Sequence, residues 1–228
     1  MIQRLFPALL AAALAAFALL APGPARAADG LVEGRDFVTI PGGQPLAAAP
    51  GKVEVVEVFA YWCHVCNDFQ PQLAAWQRKL PADVAFHYLP AAFTHSDPYA
   101  RAYFAAESLG ALARTHEPTY RAIHVEQSLP SRGASAGEVA TLLAGFGLAP
   151  ADVARAMRSP EVDARMEAAR AFIVAAGVQG TPSIIVNGRY RVRGRSLGDM
   201  LRITDLLVAR ERAAEATPRV SAPHEAKP

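Results

Sequence analysis

The sequence predicts an α/β fold in which a β-α-β unit and a β-β-α unit are separated by an inserted all-helical subdomain. Three observations carry that expectation. A valine-rich run, Lys52 to Phe59, leads straight into a helical pattern; an alanine-rich stretch fills the middle of the chain; two short apolar runs near the C-terminus are joined by Asn187-Gly188.

Each element follows from its local pattern. Lys52 to Phe59 is almost continuously apolar and reads as a buried strand. A helix is expected from about Cys63 to Leu80, with Phe69, Leu73, Trp76 and Leu80 as its core stripe. Pro71 inside it predicts a kink rather than an end, because the periodicity continues beyond. After the Leu80-Pro81 break, Val84 to Leu89 reads as a second strand, and strand, helix, strand implies a parallel pair with a right-handed crossover. From Asp97 to Ser159, alanine-rich segments broken by Gly110, Pro118, Pro130, Gly147 and Pro150 predict the small helical unit. Ser159-Pro160-Glu161 is a helix start, serine as N-cap and proline at the first helical position, and that helix is expected to reach Gly177. Ser183 to Val186, Asn187-Gly188 and Arg189 to Val192 spell a hairpin, and an amphipathic helix follows from about Leu197 to Arg212. A Pro- and charge-rich tail from Ala216 is expected to be disordered. The expected layout is therefore a leader at 1–27, a discontinuous α/β domain at 28–96 and 160–215, a helical insertion at 97–159 and a tail at 216–228.

The leader reads as a secretory signal. Arg4 gives a positive start, Leu9 to Leu20 a short apolar core, and Ala25-Arg26-Ala27 a cleavage site that leaves Ala28 first. The chain of 228 residues has 23 basic and 21 acidic side chains, and Arg4 and Arg26 fall in the leader, so the mature protein is formally neutral. Neutrality argues against a dedicated nucleic-acid binder. Arg189, Arg191, Arg193 and Arg195 alternate, which predicts a charged outer face protecting an edge strand.

Cys63 and Cys66 are the only cysteines, spaced CxxC directly after the first strand. A core of about 200 residues needs no staple, and so short a loop constrains the unfolded chain little, so in an exported protein the pair reads as a working redox couple. Cys63 at the helix start meets unpaired amides that stabilise a thiolate, the nucleophile of disulfide exchange; Cys66, one turn in, should be more buried. A zinc site needs four ligands, and His87, His95, His116, His124 and His224 are scattered without ligand spacing. Taken alone, the CxxC leaves metal binding, reduction and oxidation open. His64, between the cysteines, could donate to the Cys63 sulfur or stabilise it as a cation. Glu54 and Glu57 face opposite sides of their strand; Glu57, flanked by Val55 and Phe59, is the one expected to be buried, with a raised pKa that lets it relay a proton to Cys66. Thr181-Pro182 precedes an apolar strand, and X-Pro bonds are the ones that adopt cis.

Val55-Val56-Glu57-Val58-Phe59-Ala60-Tyr61-Trp62-Cys63-His64-Val65-Cys66, together with Gly180-Thr181-Pro182-Ser183-Ile184-Ile185-Val186-Asn187-Gly188-Arg189-Tyr190, resembles the periplasmic thiol:disulfide interchange proteins of the DsbA family. The resemblance covers nearly all of the mature chain. It implies a thioredoxin fold with an inserted all-helical subdomain and a monomeric periplasmic enzyme, a thiol:disulfide oxidoreductase whose exchangeable Cys63-Cys66 disulfide oxidises unfolded exported proteins. It implies a low-pKa Cys63, Glu57 as the family's buried acid, and a cis Pro182 that faces the disulfide and leaves the Thr181 backbone free to pair with an extended substrate. It implies reoxidation by a membrane-embedded, quinone-linked partner of the DsbB kind, with no cofactor and no metal. Two departures stand out: relatives usually have proline then histidine where this chain has His64-Val65, and they place a lysine near the acid where this chain has Phe86-His87-Tyr88. The alternatives are an isomerase or reductase on the same fold, and a metal-binding or holdase protein without turnover. Isomerases of that compartment carry an N-terminal dimerisation domain, for which Ala28 to Val53 is too short.

Overall fold

The valine-rich run forms a strand, Val53–Phe59, in which all seven residues are buried. The structure, a computed structural model, describes residues 29–216; the expected leader and the tail beyond Ala216 lie outside the described residues. The sheet has five strands, β1 (Phe37–Thr39), β2 (Val53–Phe59), β3 (Val84–Pro90), β4 (Ser183–Val186) and β5 (Tyr190–Val192), in the order β1-β5-β4-β2-β3. β2 runs parallel to β3 and antiparallel to β4. With a neighbour on each side and cover on each face, it has no solvent-facing row to fill with polar residues, hence its apolar sequence.

Helix α1 (His64–Gln77) links β2 to β3 and turns Cys66, Phe69 and Leu73 fully inward, while Trp76 and Leu80 are only partly covered. It runs past Pro71 and ends before the expected Leu80. Lys79 and Leu80 donate to the carbonyls of Trp76 and Gln77, a tightened last turn, because a residue preceding proline avoids the helical region.

The insertion contains α2 (Pro98–Ser108), α3 (Leu112–His124), α4 (Ala136–Ala144) and α5 (Pro150–Met157). Asp97 caps α2 by accepting from the amides of Tyr99 and Ala100 at 2.8 and 3.0 Å. Alanines 100, 102, 105 and 106 are buried, and their small size lets α3, α4 and α5 pack closely around α2. One of the expected breaks is corrected, and another, Pro150, is a helix start. Pro118 lies inside α3, where the missing hydrogen bond is offset by the buried face of Thr115, His116, Thr119, Tyr120 and Ile123. Pro150 opens α5 at its first turn, where its missing N–H would have no helical partner anyway.

α6 (Pro160–Ala175) is capped by Ser159, which accepts from the Val162 amide at 3.2 Å. In the hairpin, Asn187 and Gly188 both have positive φ, 51° and 64°, as a tight primed turn demands. A side chain at Gly188 would also meet the Gln44 carbonyl at 2.0 Å, so only glycine admits the close pass of that loop. α7 (Leu197–Ala216) extends past the expected Arg212 and packs on α1, β2, β4 and β5.

Strand β1 has no counterpart in the sequence reading, and it changes the meaning of the arginine series. β1 pairs antiparallel with β5, so β5 is not an edge. Of the four arginines only Arg191 lies within the strand. Arg189 pairs with the buried Glu211 at 3.1 Å, and Arg193 donates to the Gly34 carbonyl at 3.0 Å. Arg189 and Arg193 tie three segments together, and the series does not guard an edge.

Candidate active site

Ala60, Tyr61 and Trp62 carry the chain from β2 to α1, and the Cys63 amide donates to the Ala60 carbonyl at 3.0 Å to close the turn. Cys63 is the N-cap of α1: its sulfur accepts from the Cys66 amide at 3.3 Å. A sulfur there faces the positive end of the helix dipole. Both cysteines are free thiols, so this is the dithiol form. Cys63 keeps 8% of its surface exposed, whereas Cys66 keeps none.

Their titrations move apart. The Cys66 thiol donating to the Cys63 sulfur is the main cause that lowers Cys63 to about 6; the Thr181 side chain and the amides of Cys66 and Val65 add to it, and burial opposes it. Burial pushes the Cys66 thiol up, helped by its donation to Cys63 and by the charge beside it. At neutral pH the centre therefore holds a thiolate at the surface and a thiol underneath.

Across the chain, β4 delivers Thr181-Pro182 to the same place. Ser183 pairs with Val58 near the end of β2, and the peptide before it, Thr181-Pro182, is cis. The Cys63 thiol meets the Thr181 carbonyl at 3.3 Å across 118 residues of sequence.

Both strand glutamates are buried, Glu57 completely and Glu54 with 2% of its surface exposed, so the expectation for Glu54 is widened. Glu54 is fully used: its carboxylate accepts from the amides of Leu46 and Ala47 at 2.8 and 2.6 Å, fastening the loop before β2. Neither Glu57 oxygen has a hydrogen bond of good geometry, and the nearby Gln70 amide nitrogen is also unpartnered. Burial pushes Glu57 up to about 8, Gln70 opposing in part and the Cys63 charge adding to the rise. The register places Tyr88 opposite Glu57. Tyr88 Oη accepts from Gln77 at 2.8 Å and donates to Gln70 at 3.3 Å, so amides and a phenol stand near the acid where the resemblance implies a lysine in relatives.

His64 opens α1 and is exposed, and the hydrogen bonds to the Cys63 sulfur come from elsewhere. Sequence reasoning missed the supports of the preceding loop. Tyr61 Oη meets His116 Nδ1 at 2.9 Å, His124 Nε2 meets the Tyr61 carbonyl at 2.7 Å, and Trp62 Nε1 donates to Asp97 at 3.2 Å. The only advance signal was the spacing of His116 and His124, eight apart and thus on one face of a helix. A concavity of about 830 Å³ lies between α1 and α3, lined by Gln70, Tyr88 and His116 among others; Cys63 is not in its lining.

Known proteins resemble this chain in sequence and fold. Residues 82–202 match the family model described as DSBA-like thioredoxin domain. The thiol:disulfide interchange protein DsbA of Pseudomonas aeruginosa is 35% identical over 196 residues, covering 84% of this chain and 91% of that protein. The protein of that name from Azotobacter vinelandii is 35% identical over 186 residues, 80% of this chain and 85% of its own length. Among solved structures, the oxidoreductase DsbA from Xylella fastidiosa superposes with a TM-score of 0.77 at 45% identity, covering 80% of this chain and 98% of that one. With a thioredoxin fold, a helical insertion and an asymmetric CxxC at the head of α1, the chain belongs to the DsbA family of thiol:disulfide oxidoreductases.

Proposed function

We propose that this enzyme works as a disulfide oxidase on unfolded proteins exported to the periplasm. The observation that carries the reading is the asymmetry of the two thiols: Cys63 is stabilised as a thiolate, Cys66 as a buried thiol. A stabilised thiolate favours the dithiol, by about 1.4 kcal/mol or roughly 30 mV for each unit that its pKa falls below ambient pH, and so makes the disulfide a better oxidant.

In the forward reaction a substrate thiolate attacks the Cys63 sulfur and the Cys63–Cys66 bond breaks. Cys66 leaves with the bonding electrons and takes up a proton, which Glu57, protonated at neutral pH and buried behind the pair, supplies. A second substrate thiolate attacks the substrate sulfur of the mixed disulfide, and Cys63 departs as a thiolate. The substrate loses two electrons and the enzyme gains them. The Thr181-Pro182 segment beside Cys63 presents backbone to an extended substrate, a strand-addition mode that reads no particular side chain. His64 lies at the exposed rim where that substrate passes. Turnover then requires reoxidation, assigned to a quinone-linked membrane partner of the DsbB kind, and the enzyme acts as a monomer without cofactor or metal.

Mixing the oxidised protein with a reduced, unfolded substrate and counting free thiols tests this. The expected result is the loss of two substrate thiols for each enzyme disulfide consumed. Rearrangement of a scrambled substrate with no net loss of thiols would instead show an isomerase.

A further inference from the structure

One residue next to the redox centre, Tyr61, is gripped from the insertion at both ends. His116 meets its hydroxyl and His124 its backbone carbonyl, both from the same face of α3, while Asp97 at the start of α2 holds the Trp62 indole. A carbonyl only accepts, so His124 carries a proton on Nε2. The turn these groups hold decides where both sulfurs sit: the Ala60 carbonyl accepts from the Cys63 amide at 3.0 Å, and the Ala60 backbone also hydrogen-bonds Cys66. The Tyr61 peptide lies inside that turn.

We propose that His124 is a positioning residue for the redox centre: by donating Nε2–H to the Tyr61 carbonyl, it makes the helical insertion fix the Ala60–Cys63 turn that holds the Cys63 sulfur against the amides of α1. The inference rests on reading Cys63 as the nucleophilic thiolate. His124 touches neither substrate nor sulfur; it acts through the backbone. Its bond at 2.7 Å spans 63 residues, which makes it a cross-brace between insertion and thioredoxin core and not a local helix contact. Its ring contact, tilted against Tyr120 at 6.1 Å between centroids, is looser. The hydrogen bond, more than ring packing, is what the side chain contributes. A donor of similar reach on a different framework should therefore replace it, and an apolar ring should not.

The test compares His124→Phe, which keeps a ring without the donor, with His124→Gln, which keeps a donor without the ring. Two quantities are read on the full processed protein: the pH midpoint of the Cys63 thiolate by ultraviolet absorbance in the reduced form, and the equilibrium constant with glutathione. His124→Phe is expected to raise the midpoint by about half a pH unit and to shift the equilibrium about threefold toward the disulfide, whereas His124→Gln stays close to the parent. Should His124→Phe fail to fold, His124→Ala, which adds no bulk, is read in the same way. A donor-less variant indistinguishable from the parent, or a glutamine variant displaced as far as phenylalanine, overturns the proposal. A parent protein whose Cys63 titrates at the ordinary thiol value overturns the nucleophile reading itself, a result visible before any variant is made.

Discussion

Cys63→Ser abolishes disulfide exchange, whereas Cys66→Ser leaves a protein that captures substrates as lasting mixed disulfides. The two outcomes differ because the two sulfurs differ. With Cys63 gone, the remaining thiol is fully buried and held protonated, so it neither reaches a substrate nor ionises at neutral pH. The exchange rate should fall by at least about a hundredfold on the thiolate fraction alone. With Cys66 gone, the serine hydroxyl can donate to the Cys63 sulfur in place of the lost thiol, the helix-start amides and the exposed edge remain, and the Cys63 thiolate still attacks a disulfide. No neighbouring thiol then exists to displace the bound chain, and the adduct persists. Non-reducing electrophoresis and mass measurement read both results. Equal residual activity in the two variants would contradict the assigned roles.

Glu57→Gln should stabilise the oxidised protein at neutral pH while slowing its proton-coupled step. In the unfolded chain this carboxyl ionises near its ordinary value of 4.5; folded, burial keeps it protonated up to about 8. Between those values the native state binds more protons than the unfolded state, so stability falls as pH rises. The stability associated with neutral Glu57 is fully present below the lower value and is lost as pH rises through the upper one. Cys63 works in the opposite sense in the reduced protein. Its pKa is lowered from 9.0 to about 6, so its contribution is full above the first value and is lost as pH falls through the second. The oxidised protein has no thiol to titrate and isolates Glu57. Glutamine copies the shape of the neutral acid without its option to ionise. Urea unfolding of the two oxidised proteins should therefore agree near pH 4.5 and diverge by pH 8 by on the order of a few kcal/mol in favour of glutamine. A difference independent of pH would show that Glu57 does not titrate as described.

The parts of this molecule that sequence revealed are those whose cause is local. A run of valines, a serine-proline helix start, an Asn-Gly turn and a CxxC all act within a few residues, and each is found where its pattern lies. β1 was invisible because three residues, Phe37 to Thr39, carry no periodicity; pairing with β5 and the edge-to-face contact of Phe37 with Tyr190 at 5.4 Å make it a strand. Pro118 misled for the related reason that a buried helix face outweighs one lost hydrogen bond. In the site, Cys63, Cys66 and the Thr181-Pro182 segment were legible from motif, and Glu57 from strand alternation. The fate of Glu54 depended on the loop at Leu46, the neighbour of Glu57 on the register with Tyr88, and the braces on Tyr61 on a helix more than fifty residues away. Those facts belong to packing, which the chain's local patterns do not encode.

A Cys63–Cys66 disulfide that the fold makes oxidising must show this in its reduction potential. Equilibrating the processed protein in glutathione buffers, with the fluorescence of Trp62 beside Cys63 as the reporter, measures that directly. A potential above about −200 mV, on the oxidising side of the glutathione couple, is expected. A value near about −270 mV, that of the cytosolic reductants, would contradict it.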